Sequence, residues 1–240
     1  MTTEHGINVQ AAIIAFAVFL VTASAATVDL EYLLDLDDYE NFLTHPLVTY
    51  SSATPWSAIS LRAAWSLMWQ PVLGVVEPAI ALLRAALVMV WPNAMSGVGG
   101  ARVTYLIGCA IHASNAAQLS LLLAEVGNIG LLFEAPSSPN GAATTSVAVN
   151  MAAATQATRE AGPSRCAITA ATLAWAMHPL RGEVLGWLSC QAYLFATAFA
   201  LLSVRASVSS LSGGSGSSSS FGHWRGFIWF ALACGCKAVH

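Results

Sequence analysis

Two adjacent carboxylates are the first candidates for chemistry in this chain. Asp37 and Asp38 lie in the acidic run LDLDDYENF (residues 34–42), about nine residues after a long apolar stretch. In a partly desolvated site beside a membrane, a carboxylate has a raised pKa and can take a proton from an attacking hydroxyl group. The alternative is a solvated acidic loop. The spacing does not match an EF-hand calcium loop, because the turn glycine and the closing glutamate are missing.

A second candidate is the segment HPLRGE (residues 178–183), which lies between two apolar stretches. Pro179 is expected to end a helix after His178, so that a turn presents His178, Arg181 and Glu183 at one membrane face. An arginine can bind phosphate oxygens through two parallel hydrogen bonds. The alternative is an interfacial turn whose charged side chains only reach toward water.

The third candidate is a polar stripe inside an apolar stretch. His112, Asn115 and Gln118 recur three residues apart and would lie on roughly one side of a helix. Polar groups within a bilayer usually hydrogen-bond to neighbouring helices. His112 and Asn115 therefore either hold helices together or line a substrate path.

The composition indicates the environment in which these residues act. Of 240 residues, 56% are apolar and only 9% are charged, and the mean hydropathy is +0.65. Soluble domains carry roughly 25% charged residues. Nine Lys and Arg residues against twelve Asp and Glu residues leave no basic patch for nucleic acid. We therefore predict an all-α, multi-pass membrane protein whose partner is the lipid bilayer.

Long apolar stretches predict the membrane-spanning helices, since about 20 apolar residues cross a bilayer. The first lacks the basic start of a signal peptide and carries Glu4, so we interpret it as a retained helix despite the small residues at 23–25. The third stretch in chain order, within residues 164–178, is too short to cross a bilayer alone, and the last stretch is incomplete. The predicted spans are residues 9–28, 103–124, 164–178, 184–204 and 226–240.

The connecting segments differ in character. The loop of residues 29–101 contains two stretches of helical periodicity, Ser57–Trp69 and Ala79–Trp91, each with several apolar residues and one arginine. We predict that both are helices in the membrane interface, where tryptophan is favoured and Arg62 and Arg84 can extend toward water. Residues 134–164 and 206–222 are rich in Ser, Gly, Ala and Pro and are predicted to be flexible linkers.

Charge distribution predicts an orientation. Arg159 and Arg165 in one connection and Arg205 and Arg225 in another place those connections on the cytoplasmic side, although Arg62, Arg84, Arg102 and Arg181 lie on the other side. The loop of residues 29–101 and the segment of residues 178–183 then share the opposite face. The cysteines are scattered, and Cys234 and Cys236 lack the spacing of a zinc site, so neither a disulfide framework nor a metal is predicted.

Three segments together resemble one family. DLDDYENFLTHP (residues 35–46) is similar to the segment after the first span of the transmembrane and tetratricopeptide-repeat-containing proteins, which are GT-C glycosyltransferases. YLIGCAIHASNA (residues 105–116) resembles the second span of that family, and HPLRGE (residues 178–183) its H-P-x-x-x-E motif. The order and spacing agree over residues 9–240. Glu77 replaces an arginine of the family's Arg-Pro-Leu, and Leu36 replaces a tryptophan.

The resemblance implies that residues 1–240 are the N-terminal membrane part of a GT-C fold. A longer protein with more spans and tetratricopeptide repeats is then expected. The implied activity is transfer of a sugar, most plausibly mannose from dolichyl phosphate, to serine or threonine hydroxyls of an acceptor protein, in the endoplasmic reticulum of a eukaryote. Asp37 or Asp38 would be the catalytic base, and His178, Arg181 and Glu183 would bind the donor phosphate, with no cofactor or metal. The alternative is a non-catalytic membrane scaffold, or a truncated pseudoenzyme, of the same fold.

Overall fold

A computed structural model describes residues 2–24, 45–54, 60–71, 75–90, 97–133, 164–186, 190–212, 219–236 and 238–239 of the chain. These residues form helices and one short pair of antiparallel strands, in which Val75 pairs with Val239 and Val76 with Ala238. The elements in chain order are α1 (Thr2–Ser24), α2 (Pro46–Ala53), α3 (Leu61–Met68), β1 (Val75–Val76), α4 (Pro78–Val90), α5 (Gly97–Phe133), α6 (Arg165–Ala176), α7 (Pro179–Gly186), α8 (Gln191–Ser212), α9 (Ser219–Cys236) and β2 (Ala238–Val239).

Three described helices are long and apolar enough to cross a membrane. The candidate spans are His5–Ser24 in α1, Arg102–Gly127 in α5 and Gln191–Ser210 in α8. On α1 the large side chains of Ile13 and Phe16 are more than 60% exposed. Such a continuous apolar face is unfavourable in water but suits contact with lipid. The helical membrane architecture predicted from the sequence fits these three helices.

The helix directions follow from contacts between them. The hydroxyl of Tyr105 in α5 donates to the carbonyl oxygen of Thr22 in α1 at 2.9 Å, and Ala116 of α5 belongs to the same hydrophobic cluster as Ile14 and Val18 of α1. Because later residues of α5 contact earlier residues of α1, these helices are antiparallel. α6 is parallel to α1, since Gln10 donates to the carbonyl oxygen of Arg165 at 2.9 Å, whereas Ala176 at the other end of α6 shares a hydrophobic cluster with Ile14 and Val18.

The remaining two long helices continue the alternation. Gln191 at the start of α8 donates to the carbonyl oxygen of Thr104 at 2.6 Å, and Arg205 near its end forms an ion pair with Glu125 at 2.6 Å. α8 is therefore parallel to α5. α9 returns antiparallel to α8, because Ser203 donates to the carbonyl oxygen of Gly226 at 2.8 Å while Cys236 packs against Ala192.

These directions gather several chain segments at one end of the bundle. We define the loop end by Ser24, Ala176, Gln191 and Cys236, which are the ends of α1, α6, α8 and α9 on that side, and by Thr104 near the start of α5. Helices α2, α3 and α4 also lie there. Leu47, Met68, Ala81 and Ala85 of these helices form a common core, and Ile80 of α4 contacts Ala192 and Cys236. The described parts of residues 29–101 and 178–183 thus lie at the same end of the bundle, and their common side of a membrane stays a prediction.

Several predicted boundaries are wrong. α8 continues to Ser212 and α9 begins at Ser219, so both enter the predicted flexible linker of residues 206–222. By contrast, α6 has 12 residues, about 18 Å at the usual helical rise, and is shorter than a bilayer core, as its short apolar stretch indicated. The linker of residues 134–164 lies outside the described residues except for Ser164. This serine begins α6 by accepting a hydrogen bond from the amide of Ala167 at 3.2 Å.

The helices predicted at the membrane interface differ from each other. On α3, Leu61, Trp65 and Trp69 are exposed, and the two indoles meet edge to face at 5.5 Å, while Met68 is buried. This pattern suits the predicted interfacial location. On α4 the prediction that Arg84 extends toward water is wrong, because the Arg84 side chain is only 2% exposed and lies 3.4 Å from a carboxylate oxygen of Glu77.

Candidate functional site

The break between α6 and α7 places His178 and Arg181 at the loop end. α6 ends at Ala176, and Pro179 is the first residue of α7. Proline is favoured at a first helical position because its φ is preset and its missing N–H needs no partner there. The predicted break at Pro179 is therefore confirmed. The predicted turn is wrong in its extent, since Arg181 and Glu183 both belong to α7.

His178 caps the new helix through its ring. Its Nδ1 accepts a hydrogen bond from the amide of Leu180 at 3.3 Å. An imidazole nitrogen that accepts cannot carry a proton, so the neutral ring carries its proton on Nε2. The His178 side chain is exposed. Its Nε2–H is thus a donor that faces outward at the loop end.

A second His–Pro pair uses the same geometry. His45 precedes Pro46 at the start of α2, and its Nδ1 accepts from the amide of Leu47 at 3.1 Å. His45 is only 3% exposed. Burial, with a smaller contribution from the charge of Arg84, lowers the pKa of His45 to about 4. His45 is therefore neutral at physiological pH, which is the form that can cap the helix.

Arg181 is held against an aromatic ring. Its guanidinium carbon lies 4.6 Å from the ring centroid of Trp175, a cation–π distance. Trp175 belongs to the last turn of α6, so the contact spans the break between the two helices. The described part of the structure shows no carboxylate paired with Arg181. The guanidinium can therefore offer its hydrogen-bond donors to an anion while Trp175 supports it.

His112 reaches the same corner from α5. It is fully buried, and its Nε2 lies 2.9 Å from the carbonyl oxygen of Ala176. A carbonyl oxygen only accepts, so Nε2 is the donor. The ring of His112 also stacks on Trp175, with centroids 5.5 Å apart and planes 27° apart. The structure thus brings His112 and Arg181, which the sequence assigned to separate groups, to the same tryptophan.

Asn115 has a different partner. Its side-chain amide donates to the carbonyl oxygen of Leu194 in α8 at 2.9 Å, and the residue is fully buried. This is the interhelical role that the sequence analysis considered for it. Its Oδ1, together with His112 Nδ1 and Thr172 Oγ1, has no partner within the described residues. Each of these atoms can accept a hydrogen bond from a water or a hydroxyl group.

Two features of this end lie outside the motifs that the sequence suggests. Trp175 was not singled out, although an aromatic residue one turn before a His–Pro break was the available signal. The ion pair of Glu77 with buried Arg84 was also missed. Glu77 immediately precedes α4 and Arg84 lies seven residues later, about two helical turns, so the spacing brings the two side chains to the same side.

The predicted catalytic carboxylates lie outside the described residues. Asp37 and Asp38 belong to residues 25–44, and the Glu183 side chain is likewise not described. The two residues that flank this segment, Ser24 and His45, both lie at the loop end, where Arg181 and His178 are found. Among the described side chains, no group of three or more His, Cys, Asp or Glu residues is placed to hold a metal ion.

At the loop end, therefore, His45 and His178 each cap the start of a helix through Nδ1, and the partly exposed Arg181 lies over Trp175. This arrangement can bind an anion through Arg181 and the Nε2–H of His178. No known family model, curated protein or solved structure matches the chain.

Proposed function

We propose that this chain is the membrane part of a glycosyltransferase. It would take a sugar, most plausibly mannose, from a polyprenyl phosphate and transfer it to a serine or threonine hydroxyl of a protein. The proposal rests first on the sequence resemblance to the GT-C family described above. The observation in the structure that supports it most is the position of Arg181. This arginine lies on Trp175 at the same end of the bundle as both residues flanking the acidic segment.

The chemistry needs a cation where the lipid phosphate leaves. Arg181 can offer two parallel N–H donors to phosphate oxygens, and His178 can add the Nε2–H that its capping role leaves available. Both groups are at the loop end of a bundle with three candidate spans, and a lipid-linked donor presents its phosphate at the membrane surface. We therefore propose that the phosphate of the lipid-linked donor binds at the surface where α6 meets α7.

The acceptor hydroxyl needs a base. In the proposal, Asp37 or Asp38 removes its proton as the oxygen attacks the anomeric carbon from the face opposite the phosphate. This is an inverting displacement, and its base requirement is like that of an inverting glycosidase. The proposed mechanism uses side chains of this chain alone.

Arg181→Lys tests the proposed phosphate contact. Lysine keeps the charge but loses the second hydrogen bond of the guanidinium. A charge-assisted hydrogen bond contributes roughly 1.5–3 kcal/mol, which corresponds to about ten- to a hundredfold in rate. We expect Arg181→Lys in the full-length protein to lower transfer of labelled lipid-linked mannose to an acceptor peptide at least about tenfold. The assay uses membranes with equal amounts of inserted protein.

The matched control is Arg62→Lys, because Arg62 is an exposed arginine on α3 at the same end of the bundle. It should transfer sugar at the wild-type rate. Normal transfer by Arg181→Lys would show that Arg181 only reaches toward water and would leave His178 as the candidate for the phosphate.

A further inference from the structure

The end of α6 is held by a residue from another helix. The last carbonyl groups of a helix have no partners within it. At Ala176 the missing partner is His112 of α5, whose Nε2 donates to the carbonyl oxygen at 2.9 Å. The next amides turn back into α6, since Met177 donates to Leu173 at 2.8 Å and His178 to Trp175 at 3.4 Å. His112 thus fixes where α6 stops and α7 begins.

The imidazole of His112 also contacts Trp175, the residue against which Arg181 packs. His112 stacks on Trp175 with ring centroids 5.5 Å apart, and Arg181 lies over Trp175 at 4.6 Å. A continuous series of contacts therefore leads from His112 through Trp175 to Arg181. The backbone gives a second connection, because Arg181 donates its amide to the carbonyl oxygen of His178 at 2.8 Å in the first turn of α7.

Asn115 shows what a purely structural polar residue on α5 looks like. It lies one turn after His112, is equally buried and makes one interhelical hydrogen bond to a backbone carbonyl. Its partner is Leu194 in α8, and no described contact connects it with Trp175 or Arg181. His112 and Asn115 are therefore similar in burial and in hydrogen bonding, but only His112 contacts the α6–α7 corner.

We propose that His112 is a positioning residue for Arg181. Its hydrogen bond to Ala176 and its stacking on Trp175 hold the guanidinium where the donor phosphate binds. The expected effect on sugar transfer rests on the proposed function. The expected effect on the chemical reactivity of Arg181 does not.

A double-mutant cycle on sugar transfer tests the catalytic consequence. His112→Phe keeps an aromatic ring against Trp175 and removes the hydrogen bond, and His112→Gln keeps a donor and removes the ring. We expect each to lower transfer about ten- to a hundredfold in the wild-type background, as a misplaced binding group does. In the Arg181→Lys background each should lower it less than about twofold, because the group that His112 positions has already been impaired.

Asn115→Leu is the matched control for the cycle. We expect it to change transfer by the same factor in both backgrounds, since its effect does not pass through Arg181. The inference is overturned if His112→Phe and His112→Gln lower transfer by one common factor in both backgrounds, or have no effect in either. Immunoblotting of membranes measures the amount of inserted protein. The transfer rate of a His112 variant that inserts normally is then compared with that of the wild type.

A chemical measurement separates this inference from the proposed function. Phenylglyoxal modifies arginine, and mass spectrometry reports its rate at Arg181 in membranes. Loss of the cation–π contact should raise that rate about two- to fivefold in His112→Phe or His112→Gln, with no change in Asn115→Leu. A raised rate without any sugar transfer by the wild type would support positioning and contradict the proposed function. An unchanged rate in both His112 variants would contradict positioning, whatever the transfer assay gives.

Discussion

Asp38→Asn is expected to lower sugar transfer by about 10²–10⁴-fold, which is the usual contribution of a general base. An asparagine has nearly the same size and can still accept a hydrogen bond, but it cannot take the proton of the acceptor hydroxyl. The binding of the lipid donor should change little, because the proposed phosphate contacts are made by Arg181 and His178. Initial rates with labelled lipid-linked mannose and saturating acceptor peptide measure the effect.

Two neighbouring variants make this experiment specific. Asp37→Asn tests the other candidate base, and the larger loss identifies which carboxylate acts. Asp35→Asn removes an equal charge from the same segment and should transfer at close to the wild-type rate, since Asp35 is not one of the two proposed bases. Transfer at the wild-type rate in both Asp37→Asn and Asp38→Asn would contradict a catalytic role for the acidic segment.

Arg84→Met is expected to have the largest effect on stability. The Arg84 side chain is 2% exposed and the Glu77 side chain 11% exposed, so the two charges share a nearly dry environment at 3.4 Å. Removing one partner of a buried ion pair weakens the compensation of the other charge and typically costs about 3–5 kcal/mol. Thermal unfolding of the detergent-solubilised protein, followed by protease resistance, measures the change.

The double variant Arg84→Met, Glu77→Gln is the informative comparison. It removes both charges, so it should recover most of the lost stability. Arg62→Met on α3 is the control for loss of an exposed arginine, and it should change the free energy of unfolding by no more than about 0.5 kcal/mol. If Arg84→Met were as mild as Arg62→Met, the ion pair with Glu77 would not be a stabilising feature of the loop end.

The long helices were predictable from the sequence because a span needs only length and apolar composition. Their ends were less predictable. Serine-rich sequence predicted a linker over residues 206–222, yet α8 extends to Ser212. In this helix Ser207 and Ser210 donate back to the carbonyl oxygens of Ser203 and Ser207 at 3.0 and 2.7 Å. The hydroxyl groups are therefore satisfied within the helix, which composition alone does not reveal.

The candidate site was predictable in its residue types but only partly in its contacts. Proline cannot continue a preceding helix but can begin a new one, so the position of His178 and Arg181 beside a break at Pro179 followed from the sequence. The partner of Arg181 did not follow, because Trp175 reaches it only through the angle between α6 and α7. The burial of Arg84 did not follow from the sequence either, because it also depends on how separate helices pack. Its burial depends on the packing of α2, α4 and α9, which periodicity along one helix cannot show.

The central claim is that the acidic segment and the α6–α7 corner meet on one side of a membrane, and cysteine labelling tests it most directly. Single cysteines replace Asn41, Gly182 or Ser217 in a protein whose five native cysteines, all free thiols, have been removed. A membrane-impermeant maleimide should label positions 41 and 182 from the same face. It should label position 217, in the segment that joins α8 to α9, only from the other face. Labelling of positions 41 and 182 from opposite faces would contradict a shared site.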